Sequence, residues 1–234
     1  MCVVTFNIHI AFQVNVFYNI GMNRLSLSQY LKSPCSVSSL PYWKQKNIVV
    51  PDGMLIIHDK DFVPENFADF TDEKYFRLYH DLREVATINA GGVEVVTATA
   101  DMTDIFVGII NASYDDLSVT GGRLKSYTKT LVYDPDLWIA LRDKETGKYI
   151  GSGIADYDGE AGELIIEWVQ VLPAFRNRGY GVVIVNCLLN KMKNTANFAT
   201  VSGKVNSSVR PEKLYRKCGF TGNDVWHILR KKSH

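Results

Sequence analysis

The sequence predicts an α/β (α+β) fold: a central mixed, mostly antiparallel sheet flanked by helices, with an N-terminal α+β extension. Three observations predict it. The run Leu164-Ile165-Ile166-Glu167-Trp168-Val169-Gln170-Val171, closed by Leu172-Pro173, is an apolar strand of the kind found in the middle of a sheet. A basic, glycine-bearing turn, Arg176-Asn177-Arg178-Gly179-Tyr180-Gly181, leads from it into Val182 to Met192, which reads as a mostly buried helix. The turns Asp143-Lys144-Glu145-Thr146-Gly147 and Asp158-Gly159 join the preceding strands into an antiparallel meander.

Composition narrows the class. The chain has 234 residues, 46% of them apolar, enough for a sizeable core. Lys+Arg (26) nearly balances Asp+Glu (25), which argues against nucleic-acid or anionic-membrane binding, so local positive charge must serve a local purpose. Cys2, Cys35, Cys187 and Cys218 are scattered without a Cys-x-x-Cys, the pattern of a reduced, cytoplasmic protein. Residues 1–22 read as a leader, apolar but broken by Asn7, His9, Gln13, Asn15 and Asn19. It has neither a basic start nor a secretory cleavage signal, its apolar run is too broken to span a bilayer, and Met22 is an alternative start.

Residues 23–91 read as an accessory region and 92–234 as the main domain, divided at Gly91-Gly92. In the first part, Ser26 or Ser28 caps a short helix, and Ser39-Leu40-Pro41 opens another through Gln45. Residues 54–57 and 75–80 are strands, the second chosen over a helix for its aromatics. In the main domain a strand over 93–99 precedes a helix over 102–113 with Asp101 as its cap. A helix over 122–129 follows, then meander strands over 137–142, 148–156 and 163–171. Beyond the basic turn and its helix come a strand over 200–205, a helix over 211–217 and a strand over 225–230.

A strand, a short glycine turn and a helix make a phosphate cradle, because the helix start offers unpaired N–H groups and partial positive charge. The spacing is Arg-x-x-Gly-x-Gly, neither the Gly-x-Gly-x-x-Gly of dinucleotide folds nor a Walker loop. After a strand ending Val171-Leu172-Pro173, it resembles the acetyl-CoA pyrophosphate loop of the GNAT N-acetyltransferase superfamily. Leu214-Tyr215-Arg216-Lys217-Cys218-Gly219-Phe220 resembles the second signature of that superfamily, Leu-Tyr-x-x-x-Gly-Phe, in the right order and spacing. The resemblance covers about residues 93–234.

It implies a GNAT-like sheet and an acetyl-CoA-dependent N-acetyltransferase that works by direct transfer in a ternary complex, without a metal. The implied pyrophosphate binders are Arg176, Asn177, Arg178, Gly179, Tyr180 and Gly181, chiefly through backbone N–H. Val169 and Val171 would supply main-chain groups to the pantetheine and acetyl end, where their strand splays from its neighbour. Tyr215 is implied as the acid that protonates the leaving thiolate, against the plainer reading of a Tyr packed beside Phe220. Asn206, Ser207 or Ser208 stands near the position of an Asn that touches the pantetheine arm.

Glu167 is the candidate base, since an unpaired carboxylate in a central strand is costly. Its competing reading is a Glu paired with a nearby Lys or Arg, and Glu163 and then Asp156 are the alternatives. Tyr42-Trp43 is either accessory core or acceptor-pocket lining. His58-Asp59 and His80-Asp81 are strand ends or, less simply, metal ligands. The implied acceptor is a small-molecule amine or a protein N-terminus or lysine, and the chain a monomer or homodimer. A non-catalytic CoA- or acyl-CoA-binding module is the competing function.

Overall fold

The computed structural model describes residues 25–232 apart from 89, 115, 116 and 208. The leader, Cys2 and Ser208 therefore lie outside the described residues.

Three short helices come first: α1 (Leu27–Lys32), α2 (Pro34–Val37) and α3 (Tyr42–Asn47). Ser26 caps α1 in a full capping box with Gln29. Strands β1 (Met54–His58) and β2 (Phe70–His80) follow, then β3 (Val93–Thr97), α4 (Thr103–Ser113) and α5 (Gly121–Tyr127). The meander is β4 (Tyr133–Asp143), β5 (Tyr149–Asp158) and β6 (Glu163–Val171). The chain ends with α6 (Tyr180–Met192), β7 (Phe198–Lys204), α7 (Pro211–Lys217) and β8 (Thr221–Lys231). Asp101 does not cap α4: it lies in a 3-10 turn, its carboxylate bonded to Thr99, and the N-cap is Met102 without a side-chain bond. Thr120 caps α5 instead, accepting from Arg123 N–H.

All strands join one eight-stranded sheet in the order β1-β8-β2-β7-β6-β5-β4-β3. Neighbours are antiparallel except β6 and β7, which run parallel across the α6 crossover. The stretch 23–91 thus supplies β1 and β2 to the same sheet, and β2 lies between β8 and β7. On one face Leu164, Ile166 and Val169 pack with α6 residues such as Ile184, Val185 and Leu188. On the other, Trp138, Ile154 and Trp168 pack under α4 and α5, against Phe106, Ile110 and Leu124.

One buried cluster fastens the N-terminal helices to this sheet. Glu163, fully buried at the start of β6, accepts from Tyr30 Oη of α1 at 2.8–2.9 Å and from Arg77 of β2 at 3.1 Å. It also accepts from Thr200 Oγ1 of β7 and from Tyr42 N–H of α3, the latter at 3.4 Å. Burial pushes the Glu163 carboxyl up, opposed by the Arg77 guanidinium and these donors. Trp226 Nε1 adds a bond from β8 to the Cys35 carbonyl of α2 at 2.8 Å.

Removing one member of a buried pair leaves the other charge uncompensated. Glu163→Gln is therefore expected to lower unfolding stability by about 3 kcal/mol. The double variant Arg77→Met/Glu163→Gln should recover part of that loss, as urea denaturation of the three chains would measure. A cost for the single variant within experimental error would show that the cluster does not fasten the fold.

Candidate functional site

The site begins where a strand loses a neighbour. Pairing of β6 with β7 runs from Glu163↔Phe198 to Ile166↔Val201 and then stops, while β6 continues along β5 to Val171. The register against β5 slips at the same place, from Ile154↔Trp168 to Ala155↔Ile166, so Glu167 is the extra residue of a β-bulge. Leu172 N–H donates to Ile150 O on the β5 side at 2.8 Å. Strand alternation then turns the N–H groups of Val171 and Val169 to the opposite edge, which faces the fork.

At the end of β6 the chain enters the glycine turn. Gly179 is the N-cap of α6 at φ +84°, a left-handed conformation that costs a residue with a Cβ roughly 1–2 kcal/mol. It brings no capping side chain, so the first turn of α6 is left open. Gly181 has a different reason: a Cβ there would meet Leu214 of α7 at 3.1 Å, so the glycine lets α7 close over the turn. Together with Val171, Phe175, Arg176, Asn177 and Tyr180, these residues line a cleft of about 300 Å³.

The side chains of both arginines bond to carbonyl groups of the chain itself. Arg176 donates from Nε to Val171 O at 3.1 Å and from Nη2 to Ser113 O at 3.0 Å, tying the turn to the end of α4. Arg178 donates to Ala174 O at 3.3 Å and lies over the Phe175 ring. The cationic lining that sequence reading missed comes from α7, where Lys213 and Lys217 stand one turn apart on the wall of the cleft. Their spacing was visible, but only the packing of α7 on α6 reveals their direction.

A second concavity lies on the α4–α5 face. Glu167, Asp156, Lys44, Trp43, Tyr127, Thr130, Ile154 and Trp168 line it, around a cavity of about 10 Å³, the space of a single water molecule. Lys44 of α3 is hydrogen-bonded to the Glu167 carboxylate, so the paired reading of Glu167 holds. The Asp156 carboxyl is held well above the usual carboxylate range, first by burial, then by the nearby Glu167 charge, with Lys44 opposing. Tyr42-Trp43 splits its two readings: Tyr42 packs with Tyr30 at 5.4 Å between ring centres, and Trp43 lines the pocket.

The remaining candidates divide as follows. Tyr215 is fully buried on the α6 side, its ring edge-on to Phe220 at 5.6 Å and Phe76 at 6.3 Å. Val169 and Val171 are buried with it in the same core cluster. Asn206 is exposed in the turn after β7. Glu163, the alternative base, belongs to the fastening cluster, where it is buried and paired with Arg77. His58 bonds Asp224 at 3.0 Å, Asp59 bonds His227 at 3.0 Å, and His80 Nδ1 accepts from Leu82 N–H. Among the described residues no group of three or more His, Cys, Asp or Glu side chains is placed to hold a metal ion.

A forked parallel strand pair, a bulge at the fork and an uncapped glycine turn at a helix start define a GNAT fold. Residues 134–222 match the family model of the acetyltransferase (GNAT) domain. A GCN5-related N-acetyltransferase from Sphaerobacter thermophilus superposes with a TM-score of 0.61 at 17% identity, covering 70% of this chain and 53% of that one. The chain thus spans about half the length of that protein. A functionally unknown conserved protein from Staphylococcus epidermidis gives a TM-score of 0.55 at 14% identity, covering 89% and 82% of the two chains. A GNAT-family acetyltransferase from Colwellia psychrerythraea gives 0.55 at 14%, covering 76% and 64%. At such identities the likeness is one of fold. No curated protein sequence matches the chain.

The raised Asp156 carboxyl has a consequence for stability. Above the ordinary aspartate value of 3.8, the folded chain retains a proton that the unfolded chain has released. The stability this contributes is complete below that value and is lost as pH rises through the folded one. Thermal unfolding from about pH 4 upward should therefore show wild type losing stability relative to Asp156→Asn. Parallel curves would place the shift elsewhere.

Proposed function

We propose that the chain is an acetyl-CoA-dependent N-acetyltransferase that moves an acetyl group to a primary amine by direct transfer in a ternary complex. The observation that carries this is the open edge of β6. It runs from the bulged Glu167, beside an acidic and aromatic pocket, to the glycine turn and its cationic cleft. A phosphate-bearing donor and an amine would thus meet along one stretch of backbone.

Bound acetyl-CoA supplies an activated acyl carbon as its thioester. The first-turn N–H groups of α6 receive the pyrophosphate, with Lys213 and Lys217 adding charge. Val171 N–H polarises the acyl carbonyl, and Val169 contributes to holding the pantetheine arm. Glu167 takes the proton from the amine, directly or through a water, once Lys44 is displaced. Asp156, protonated over a wider pH range than an exposed aspartate, stands beside it as a second proton site. Tyr215 returns a proton to the thiolate. The competing reading, a non-catalytic CoA-binding module, is supported by the closure of the pocket by Lys44.

Release of free thiol from acetyl-CoA across a panel of amines separates the two readings. An enzyme turns over, and Glu167→Gln lowers kcat/KM by about a hundredfold. A module binds CoA tightly and releases nothing. For Tyr215→Phe the acid role predicts a fall in kcat of similar size. Loss of a packing hydroxyl alone would cost about 1 kcal/mol of stability and leave kcat intact.

Lys213→Ala/Lys217→Ala should weaken CoA binding about tenfold, less so at high salt, with little change in melting temperature. Equal binding by wild type and variant in calorimetry would remove both lysines from the phosphate site.

A further inference from the structure

A lysine of the chain already occupies the place an acceptor amine would take. Lys44 belongs to α3, outside the segment 134–222 that matches the family model. Its ammonium is bonded to Glu167, its side chain is 12% exposed, and Asp156 lies on the same pocket wall. The space left beside it is about 10 Å³, so no acceptor larger than a water fits while Lys44 is in place.

Three features set this pair apart from a structural ion pair. Arg77–Glu163 sits behind the fork, with β6 paired on both sides, and is closed off by Tyr30 and Thr200. Lys44–Glu167 sits past the last β6–β7 pair, on the stretch of β6 whose Val169 and Val171 N–H groups point away from β5. Moreover, α3 is a six-residue helix without a side-chain cap. The amine is therefore carried on a flexible side-chain stem from a short helix whose first residue is held at Glu163.

We propose that Lys44 is an acetyl acceptor in cis, the chain modifying itself at the mouth of its own active site. The proposal rests on the acetyl-CoA reading above. Glu167 takes a proton from the Lys44 ammonium, and the neutral Nζ attacks the acyl carbon of acetyl-CoA. The C–S bond breaks as the N–C bond forms, the electron pair leaves with sulfur, and protonation gives free CoA thiol. The products are N-acetyl-Lys44 and CoA, with one proton released overall. Acetylation removes the charge of Lys44, the one lysine on the pocket wall among the described residues, and frees Glu167 for an external amine.

The test uses the full chain with acetyl-CoA and no added amine, followed by intact-mass measurement and peptide mapping. One acetyl group at Lys44 is expected, matched by one free thiol, with a rate constant unchanged on dilution. Glu167→Gln should slow the labelling about a hundredfold. Lys44→Arg should abolish it, and Lys46→Arg should leave it intact, since Lys46 is exposed and pairs with Glu160. Thiol release with added amines while Lys44 stays unmodified would overturn the proposal and leave the transferase reading standing. Labelling that reaches Lys46 equally and ignores Glu167→Gln would overturn it as simple chemical acetylation. Absence of any heat of acetyl-CoA binding would overturn both together.

Discussion

The buried Glu163 carboxylate is the constraint on which the rest of the molecule depends. It is a single anion at the start of β6, yet donors reach it from β2, β7, α1 and α3. An anion enclosed that fully is tolerable only if its lone pairs are used, and here they are. Geometry follows from the chemistry. Arg77 must extend beneath the sheet from β2, which fixes β2 beside β7, and Tyr30 must turn inward from α1. Tyr42 N–H brings the start of α3 to the same oxygen atoms, and α3 then delivers Trp43 and Lys44 to the pocket at Glu167. The N-terminal helices therefore act as a wall of the pocket, held by a point four residues away from Glu167.

That anchor also determines where the sheet can open. Behind it, β6 is hydrogen-bonded to β5 on one side and β7 on the other. Beyond Ile166 the β7 side is free, and the bulge at Glu167 increases the local twist there. The N–H groups of Val169 and Val171 point to the side that β7 has left. Arg176 stabilises the far end of this edge by binding the Val171 carbonyl and reaching across to Ser113, which ties the turn that follows to the end of α4.

Much of this was legible in the residues, and what was not has a physical reason. The β6 limits were readable because its sides are apolar and Pro173 stops it. The glycine turn was readable because Gly179 and Gly181 satisfy local demands, a positive φ and a close approach. Direction of charge was not. The Arg176 guanidinium bonds the Ser113 carbonyl, a partner too far away in sequence for any local pattern to announce. Lys44 lies 123 residues from Glu167, on a helix too short to announce a face. The capping role assigned to Asp101 failed because the chain makes a 3-10 turn first and starts α4 later. Propensity identified the elements, and tertiary packing chose their partners.

Glu163 and Glu167 show how little residue type decides by itself. They stand four positions apart on one strand, so simple alternation puts them on the same face, and each carries a cation from the N-terminal region. Glu163 is flanked by hydrogen-bonded strands and saturated by fixed donors, one of them a guanidinium that does not give up its proton. Glu167 sits on a bulge with one strand neighbour gone, and its partner is an ammonium, which can lose a proton and become a nucleophile. Access and the acidity of the partner separate the two carboxylates. Exchange of the two cations would close the fork chemically without moving a single strand.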